Sequence, residues 1–480
     1  MYKPTIGLEI HSELKTKTKM FCGCANNPEE KTPNVNVCPV CLAHPGALPT
    51  ANKKAIESVI KLGLALGGEI SKISKFDRKN YFYPDLPKAY QISQYDQPFV
   101  LGGELCGIKI TRVHLEEDTA RLAHLGKDSL VDFNRAGVPL MELVSEPEVK
   151  SGKEAVAFAK ELQLILRYLG ISDADMERGQ MRVEANISIS KDDKFGTKVE
   201  VKNLNSFRSV GEAIDYEIKR QEEVLESGGK VIQETRGWDE NKKITFSQRL
   251  KEEAHDYRYF PEPDLAPFDL TDKNFIDIEK LKAEIPELPA VKRERLSQEY
   301  GLKPEQLEIF IEDRKLADYF EESVSELLEE LGKAGETEKE KNIQTLFNYL
   351  ASDVKGFLNE RSISIKDFGI TPENFSDLVV LVIKGEITSR VAKDLIKEMA
   401  LTGNDPRQII SEKGLGKISN EDEIKKTIEE IISKNQAAVD DYKKGKETAL
   451  QFLIGQAMKI FKGRANPELL KKLFAESLSQ

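Results

Sequence analysis

Residues 5–14 read Thr-Ile-Gly-Leu-Glu-Ile-His-Ser-Glu-Leu, and apolar and polar side chains alternate along them. A β-strand sends successive side chains to opposite faces, so this alternation predicts a strand with an apolar back. Glu9, His11 and Glu13 share the other face. Carboxylate oxygens and a neutral imidazole are ligands that can hold Mg²⁺. The alternative is an edge strand whose polar face is simply solvated.

The same arrangement recurs in three further stretches of the chain. Residues 182–189 and 198–202 alternate, with polar or charged side chains on one parity and apolar ones on the other. Residues 108–118 form a further alternating strand in which His114 and Glu116 share a face, with Glu117 and Asp118 just past it at the expected end of the strand. We therefore predict an α+β protein built on one antiparallel sheet, with an apolar back and an open, carboxylate-lined cleft. The chain contains no G-x-x-x-x-G-K-[ST] loop. Any nucleotide would therefore be held through metal ions and side chains rather than by a phosphate-cradling loop.

Length and composition limit the classes of protein to which the chain can belong. A chain of 480 residues is too long for one core, so we expect two to four domains. No apolar run approaches the ~18 residues of a membrane span, so we expect no membrane association. The first residues lack a charged-then-apolar signal region, and the five cysteines include two close pairs. We therefore expect a cytoplasmic protein in a reducing compartment.

The net charge of −11 argues against indiscriminate coating of nucleic acid, but the charge is unevenly distributed. Residues 401–480 hold fourteen basic and twelve acidic residues, and the segment from Lys443 to Arg464 holds six basic residues against one Glu. A locally basic end permits a specific RNA contact. The alternative is an ordinary helical bundle with a solvated basic edge.

Two cysteine pairs have the spacing of a metal site. Cys22-Gly-Cys24 is followed, after thirteen residues, by Cys38-Pro-Val-Cys41. Such pairs place four thiolates tetrahedrally around Zn²⁺, which leaves no coordination position open for substrate. We therefore predict a structural zinc ion that staples a loop. The alternative is four free, buried thiols.

Residues 76–96 combine aromatic side chains, prolines and the cations Arg78, Lys79 and Lys88, without a helical or strand period. A loop of this composition suits a site for a nucleotide, an RNA end or an acidic ligand. The alternative is a large aromatic loop folded onto the core.

Helix signals and prolines divide the rest of the chain. Thr50 and Ser151 each precede an amphipathic segment and are predicted to cap a helix. Prolines cluster between Tyr257 and Pro289, the sequence beyond them is helical in character, and Asn404-Asp-Pro406 marks a second boundary. We therefore expect a sheet domain at 1–290, a helical domain at 291–405 and a small helical tail domain at 406–480.

Several long motifs follow one another along the chain. They are Ile6-Gly-Leu-Glu-Ile-His, Phe76-Asp-Arg-Lys-Asn-Tyr-Phe-Tyr-Pro-Asp, Lys88-Ala-Tyr-Gln-Ile-Ser-Gln, Asn134-Arg-Ala-Gly-Val-Pro-Leu-Met-Glu, Val201-Lys-Asn-Leu-Asn-Ser-Phe, Asp256-Tyr-Arg-Tyr-Phe-Pro-Glu-Pro-Asp and Gly455-Gln…Lys462-Gly-Arg-Ala-Asn-Pro. Together they resemble the GatB family, the B subunits of bacterial glutamyl/aspartyl-tRNA amidotransferases, over the whole length. The archaeal relative carries a large extra domain between its last two parts. Residues 290–406 leave no room for one, which favours the bacterial type.

The resemblance implies a cradle domain with a glutamine-synthetase-like sheet, followed by helical and tail domains. The implied reaction begins when ATP phosphorylates the side-chain carboxylate of Glu or Asp misacylated on tRNA(Gln) or tRNA(Asn). Ammonia then displaces the phosphate and leaves an amide. The implied partners are an amidase subunit of the GatA type, which supplies ammonia through a channel, and a small clasping subunit of the GatC type, in a heterotrimer. The implied cofactors are ATP and Mg²⁺.

This chemistry requires metal ligands in the predicted cleft, because Mg²⁺ would neutralise the charge of the triphosphate. The first candidates, as ligands and as catalytic groups, are Glu9, His11, Glu116 and Glu117. The second group of candidates is Glu177, Glu184 and Glu200.

Cations in or near the same strands are candidates for substrate contacts. Arg182, Lys198 and Lys202 would meet phosphate oxygens, with Glu184 among them in the nucleotide site. By the resemblance, Lys79 would pair with a carboxylate at the mouth of the channel. In the tail, Lys459, Lys462 and Arg464 are the candidates for RNA contacts.

Two other functions fit the sequence. One is an RNA-docking scaffold of the same complex without a catalytic site of its own. The other is a stand-alone, Mg²⁺-dependent ligase that uses free ammonia on a small acid. No Cys or Ser nucleophile motif for releasing ammonia from glutamine is evident in the sequence.

Overall fold

The computed structural model describes residues 2–192, 194–250, 257–332, 335–416, 421–461 and 463–478. The chain forms two compact units, Met1–Val291 and Lys292–Gln480. Among the described residues, no helix has the length and apolar character needed to cross a membrane.

A ten-stranded mixed sheet forms the centre of the first unit. Its strand order is β15-β14-β13-β12-β1-β11-β8-β6-β2, with β7 paired to β8. Within the described part of the chain, neighbouring strands of this sheet pair antiparallel except β13 with β14. The predicted α+β class and mostly antiparallel sheet are therefore confirmed. The strands are β1 (Lys3–Glu13), β2 (Glu69–Ile70), β6 (Val100–Leu101), β7 (Glu104–Leu105), β8 (Ile108–Glu117), β11 (Pro139–Ser145), β12 (Met181–Ser190), β13 (Val199–Leu204), β14 (Glu234–Asp239) and β15 (Ile244–Leu250).

The apolar parity of β1 forms the back of the sheet, as the alternation predicts. Ile6, Leu8 and Ile10 have no exposed surface and belong to one large core. Three amphipathic helices contribute buried side chains to the same core. The helices of this unit are α1 (Lys53–Ala65), α2 (Gly152–Tyr168), α3 (Phe207–Glu226) and the short α4 (Ile278–Ala283).

The structure confirms one of the two predicted caps. The Ser151 side chain accepts a hydrogen bond from the Glu154 N–H and begins α2. The first predicted cap is wrong, because Asn52 rather than Thr50 accepts the N–H groups of Lys54 and Ala55. Both Thr and Asn are residue types that can cap a helix, and Asn52 is in addition held by its side-chain amide, which donates to the Thr18 carbonyl oxygen at 3.0 Å.

Strand β11 was not predicted, although it lies between β1 and β8. Its residues are almost all buried, so its sequence shows no alternation of apolar and polar positions. Three smaller sheets complete the first unit: β9 with β10, β3 with β17, and β4 between β5 and β16. Their strands are β3 (Ile73–Ser74), β4 (Asp77–Asn80), β5 (Tyr90–Ser93), β9 (Arg121–Leu125), β10 (Asp128–Asp132), β16 (Phe260–Pro261) and β17 (Phe268–Asp269).

The rest of the chain is helical, as predicted. One buried apolar cluster runs from Leu296 to Ile409 and a second from Ile424 to Leu478. The division into domains at 291–405 and 406–480 stays a prediction. The helices are α5 (Pro289–Tyr300), α6 (Pro304–Glu312), α7 (Arg314–Leu331), α8 (Glu336–Asn348), a π-helical segment (Tyr349–Val354), α9 (Lys355–Arg361), a 3₁₀ turn (Ile365–Asp367), α10 (Pro372–Ile383), α11 (Ser389–Thr402), α12 (Pro406–Lys413), α13 (Glu421–Lys434), α14 (Gln436–Lys443), α15 (Glu447–Ile460) and α16 (Pro467–Leu478).

The contact of α1 with β6 leaves no room for a side chain at Gly63. A Cβ atom there would lie 2.5 Å from Cγ2 and 3.1 Å from Cβ of Val100. We expect Gly63→Ala to lower the free energy of unfolding by about 1–3 kcal/mol, although Ala is favoured over Gly in a helix by about 1 kcal/mol. Gly356 in α9 is the control, because open space surrounds it and Gly356→Ala should be neutral or stabilising. Urea unfolding of both variants measures the difference, and an unchanged Gly63→Ala protein would contradict the tight contact.

Candidate active site

Polar side chains of six neighbouring strands line one cavity on the open face of the sheet, which we call the cradle cavity. Its volume is about 400 Å³. The strands are β14, β13, β12, β1, β11 and β8, in that order across the sheet. Because β1 lies between β12 and β11, its polar face contributes to both halves of the cavity. Two groups of possible metal ligands lie there, each with donor atoms within 4.8 Å of one another.

The first cluster consists of His11, Glu116 and Glu142. His11 Nε2 lies 3.3 Å from a Glu142 oxygen and 3.7 Å from a Glu116 oxygen. Glu142 belongs to this cluster because β11 pairs with both neighbouring strands, which brings Glu142 directly opposite His11 on β1 and His114 on β8. His114 Nε2 holds the same Glu142 oxygen at 3.2 Å, and the Ser93 hydroxyl donates to Glu116 at 3.1 Å. Such outer contacts orient the ligands of a metal site.

The second cluster consists of Glu9, Glu184 and Glu200. Glu9 lies opposite Glu184 in the pairing of β1 with β12, and β13 contributes Glu200. Lys202 Nζ lies 2.8 Å from Glu184 and 3.7 Å from Glu200. The Asn186 amide donates to Glu9 at 2.7 Å. Because Glu9 and His11 are two residues apart on one strand face, the two clusters are neighbours.

The charges of the first cluster are strongly coupled. Burial lowers the pKa of His11, but Glu142, Glu116 and Glu184 outweigh it and raise that pKa to about 9. Burial raises the pKa of Glu142, but His114 and His11 outweigh it and hold that pKa well below its usual range. Without a metal ion, the cluster therefore holds a positively charged imidazole between carboxylates at neutral pH.

The predicted cations also line the cradle cavity. Burial lowers the pKa of Lys202, but Glu184 and Glu200 outweigh it and raise that pKa. Arg182 lies 3.6 Å from Asp118, and Lys198 is exposed just before β13. Burial lowers the pKa of Lys79, but Glu116 and Glu142 raise it well above its usual value. All four side chains are therefore available as positive charge around the two clusters.

Two predicted metal ligands lie elsewhere. Glu117 follows Glu116 on β8 and therefore faces the other way. Its carboxylate pairs with Lys88 Nζ at 2.6 Å, accepts the Ile92 N–H at 2.9 Å, and lines a separate cavity of about 280 Å³. Glu177 is exposed in a turn before β12 and belongs to neither cluster. Neither Glu117 nor Glu177 therefore lies with the other predicted ligands.

Glu142 is the residue of the site that sequence reasoning missed. Its strand reads Pro-Leu-Met-Glu-Leu-Val-Ser, in which Glu142 is the one charged residue. A lone carboxylate in a buried apolar run must have a partner, because an unpaired buried charge is costly. This was the available signal, but the sequence could not identify His11 and His114 as the partners.

The four cysteines converge outside the cradle cavity. The Sγ atoms of Cys22, Cys24, Cys38 and Cys41 lie within 4.8 Å of one another. Cys41 Sγ lies 4.0 Å from Cys24 Sγ and 3.9 Å from Cys38 Sγ. Tetrahedral zinc with bonds of ~2.3 Å requires separations of about 3.8 Å, so the sulfurs fit a metal ion.

The electrostatics of the cysteine cluster favour a thiolate. A hydrogen bond with Cys22, the Cys38 backbone N–H and the cation of Lys19 lower the pKa of Cys41 to about 5, although burial raises it. Lys19 has no exposed surface, and its Nζ donates to the Phe133 carbonyl at 3.1 Å. A buried ammonium group 3.9 Å from Cys41 Sγ offsets part of the negative charge of the cluster.

The predicted RNA-contacting residues of the tail differ in their surroundings. Lys459 is exposed near the end of α15. Arg464 donates to the carbonyls of Gly414 at 2.7 Å and Phe461 at 3.2 Å, so its guanidinium group has a structural role in the tail. Lys462 lies outside the described residues.

Comparison with known proteins supports the resemblance to the GatB family. The family model described as the GatB/GatE catalytic domain matches residues 4–276, and the model described as the GatB domain matches residues 326–478. The chain belongs to the GatB family. The two matched regions cover the cradle cavity and most of the helical unit, so the resemblance inferred from the motifs is confirmed.

Relatives in the GatB family cover the whole chain. The chain is 46% identical to a protein of Persephonella marina over 99% of both chains. It is 46% identical to a protein of Brevibacillus brevis over 100% of this chain and 99% of the relative, and 46% identical to one of a Thermoanaerobacter species over 100% of both. Each relative is named as the B subunit of an aspartyl/glutamyl-tRNA(Asn/Gln) amidotransferase.

The coupled charges of the first cluster predict an unusual titration. In chelator-treated protein, the His11 imidazole should titrate near pH 9. In Glu142→Gln the main raising charge is absent, so the pKa of His11 should fall. NMR of the imidazole ring protons, with His11→Gln for assignment, measures both values. A His11 pKa near 6.5 in the wild-type protein would contradict the coupling.

The raised pKa of His11 also makes the stability of the folded protein depend on pH. Because the pKa of His11 in the folded state exceeds its unfolded value of 6.5, its contribution to folding is complete below pH 6.5 and is lost as the pH rises through about 9. The Glu142→Gln protein should lack most of this pH-dependent loss.

Proposed function

We propose that the chain is the subunit that amidates misacylated tRNA in an ATP-dependent complex. The side-chain carboxylate of Glu or Asp on tRNA(Gln) or tRNA(Asn) would attack the γ-phosphorus of ATP as the bond to ADP breaks. Ammonia would then attack the acyl carbon and release phosphate, which takes up the proton. The observation that carries this proposal is the pair of acidic clusters side by side on β1, with cations around both. The names of the full-length relatives support it.

The donor atoms suit two divalent cations. The second cluster offers only carboxylates, the oxygen ligands that Mg²⁺ prefers, and the first adds one imidazole. When bound, Mg²⁺ would neutralise phosphate charge and align the attacking carboxylate with the γ-phosphoryl group. In the second cluster, the Lys202 ammonium already lies between Glu184 and Glu200, which supports a preference of these carboxylates for positive charge.

The remaining charged side chains have separate tasks in this proposal. Arg182, Lys198 and Lys202 would meet phosphate oxygens, since all three line the cavity. Lys79 lies in the fields of Glu116 and Glu142 and would pair with a carboxylate at the mouth of the ammonia channel, as the resemblance to the family suggests. The acyl phosphate must be kept from water, which requires that the cavity is covered during the reaction.

The proposed amidation reaction requires partner subunits and a means of binding tRNA. An amidase subunit would supply ammonia and a small clasping subunit would hold the two together. We further propose that residues 291–405 form a helical domain and that residues 406–480 form a tail domain that binds tRNA. Lys459 is the exposed cation of the tail that supports an RNA contact, whereas Arg464 supports the local fold. The four cysteines would hold a structural zinc ion away from the chemistry.

If the second cluster binds a metal ion, Glu9→Gln should impair phosphoryl transfer. The substitution preserves shape but removes a negative charge from the metal site, so phosphoryl transfer should fall by at least about 100-fold. The variant should still assemble with its partners and bind tRNA. ATP cleavage dependent on glutamyl-tRNA(Gln), measured in the reconstituted complex, provides the test.

Glu177→Gln is the matched control for Glu9→Gln, because Glu177 is exposed and lies outside both clusters. It should retain wild-type activity. Near wild-type amidation by Glu9→Gln at limiting Mg²⁺ would instead make β1 a polar strand without a catalytic role. Loss of activity in both variants would point to a general effect on the complex.

The cysteine cluster predicts one zinc ion per chain in protein purified with reductant. Cys41→Ser should lower the zinc content and the unfolding temperature more than it lowers the turnover of the protein that remains folded. Elemental analysis and calorimetry measure these effects. Cys106→Ser is the control, because Cys106 is exposed and lies outside the cluster. Metal-free protein with unaltered stability would contradict the proposed zinc site.

A further inference from the structure

Four tyrosines form one side of the cradle cavity, and neither metal cluster uses them. We call Tyr81, Tyr95, Tyr257 and Tyr259 the tyrosine wall. The rings of Tyr95 and Tyr259 are stacked, with centroids 4.4 Å apart and planes at 10°. Tyr257 contacts both Tyr81, at 5.9 Å, and Tyr259, at 6.0 Å, edge to face. The wall is therefore a continuous aromatic surface rather than four separate side chains.

Hydrogen bonds from Asn80 hold the backbone of the Tyr257–Tyr259 part of the wall in place. The Asn80 amide donates to the carbonyl oxygens of Tyr257 at 3.1 Å and Arg258 at 2.9 Å. Arg258, between Tyr257 and Tyr259, has φ of 44°, a left-handed conformation that is costly for a residue with a side chain. Strain of this kind persists where the surrounding structure requires it. Here it directs two successive tyrosines of the pattern Tyr-Arg-Tyr into the same cavity.

Tyr95 follows β5 and is held in place by Asp77 of β4, the neighbouring strand in the small sheet of β16, β4 and β5. Its backbone N–H donates to the buried Asp77 carboxylate at 3.0 Å, and Lys75 pairs with Asp77 at 3.0 Å. Tyr95 is nevertheless 45% exposed, although Tyr259 covers one ring face. Tyr95 therefore offers an open, preorganised aromatic surface that is backed by a second ring.

The position of the wall indicates what it binds. Residues at the end of β5, next to Tyr95, contact β8, since the Gln94 side-chain carbonyl oxygen accepts the Leu115 N–H at 3.2 Å and Ser93 donates to Glu116. The wall thus lies beside the first cluster. Of the cations suited to the ATP phosphates, Lys202 lies with the second cluster and Lys198 lies just before β13, on the β12–β13 side of the cavity. An aromatic surface on the other side of the cavity is suited to the aminoacyl end of the tRNA.

We propose that Tyr95, backed by Tyr259, stacks the 3′-terminal base of the misacylated tRNA. This proposal rests on the proposed function, because the terminal nucleotide carries the amino acid whose carboxylate must reach the metal clusters. Unpaired RNA ends are commonly recognised by stacking of their bases on aromatic side chains. Stacking would hold the terminal nucleotide while its aminoacyl group extends towards the first cluster.

The reconstituted three-subunit complex provides the test, with tRNA that carries 2-aminopurine as its 3′-terminal base. The wild-type complex should quench the fluorescence of this base by stacking, Tyr95→Ala should lose the quenching, and Tyr95→Phe should retain it. In amidation assays, Tyr95→Ala should raise the KM for glutamyl-tRNA(Gln) by about tenfold or more. Its kcat and its KM for ATP should not change, and Tyr95→Phe should restore the KM.

Tyr83→Ala is the matched control. Tyr83 belongs to the same segment and is 55% exposed, but it is not among the described residues that line the cradle cavity. Unchanged quenching and KM in Tyr95→Ala would overturn the proposal. A rise in the KM for ATP alone would also overturn it, because the wall would then hold the base of the nucleotide.

The outcomes separate this inference from the proposed function. A wild-type complex that does not amidate would contradict the proposed function. Quenching by that complex, lost in Tyr95→Ala and kept in Tyr95→Phe, would still support the stacking site. Amidation by the wild-type complex without any effect of Tyr95→Ala would remove the stacking site alone.

Discussion

The register of strand β1 against its two neighbours is the constraint on which the candidate site depends. Glu9 lies opposite Glu184, and His11 lies opposite Glu142. Facing residues of antiparallel strands have Cβ atoms about 4.5–5.5 Å apart, so this register brings carboxylates from three strands to one surface. A slip of one residue would turn Glu9 and His11 towards the apolar back of the sheet. Both clusters would then be lost together.

Burial of the back of the sheet, rather than attraction between the site residues, maintains that register. Ile6, Leu8 and Ile10 are fully buried, and burial of each such side chain contributes roughly 1.5–3 kcal/mol. The carboxylates on the other face repel one another. Lys202 offsets this repulsion in the second cluster, and two histidines offset it around Glu142. The apolar core therefore holds together a concentration of negative charge whose donor atoms could bind metal ions.

Alternation in the sequence predicted strands β1, β8, β12 and β13, and with them the sheet and most of its charged face. It could not predict β11, because neighbouring strands and helices bury nearly all of that strand. Because the alternation does not predict β11, Glu117 is predicted as a ligand at the position where the structure has Glu142. Strand β8 continues through Glu117, so this side chain faces Lys88 instead. Local periodicity thus predicts which face a residue occupies, but the partner across the sheet depends on long-range pairing that the sequence does not display.

The proposed chemistry and the proposed recognition of tRNA depend on different parts of the fold. The two clusters of candidate metal ligands lie on interior strands of the large sheet, where neighbours on both sides fix each backbone. The tyrosine wall lies on the small sheet of β16, β4 and β5 and on its loops. Metal ligands require accurate geometry, whereas stacking tolerates small displacements of the ring. The hydrogen bonds of Ser93 and Gln94 to β8 join the two parts. Through this contact, the position of Glu116 and the position of a base stacked on Tyr95 would depend on the same two residues, which would link substrate placement to the proposed metal site.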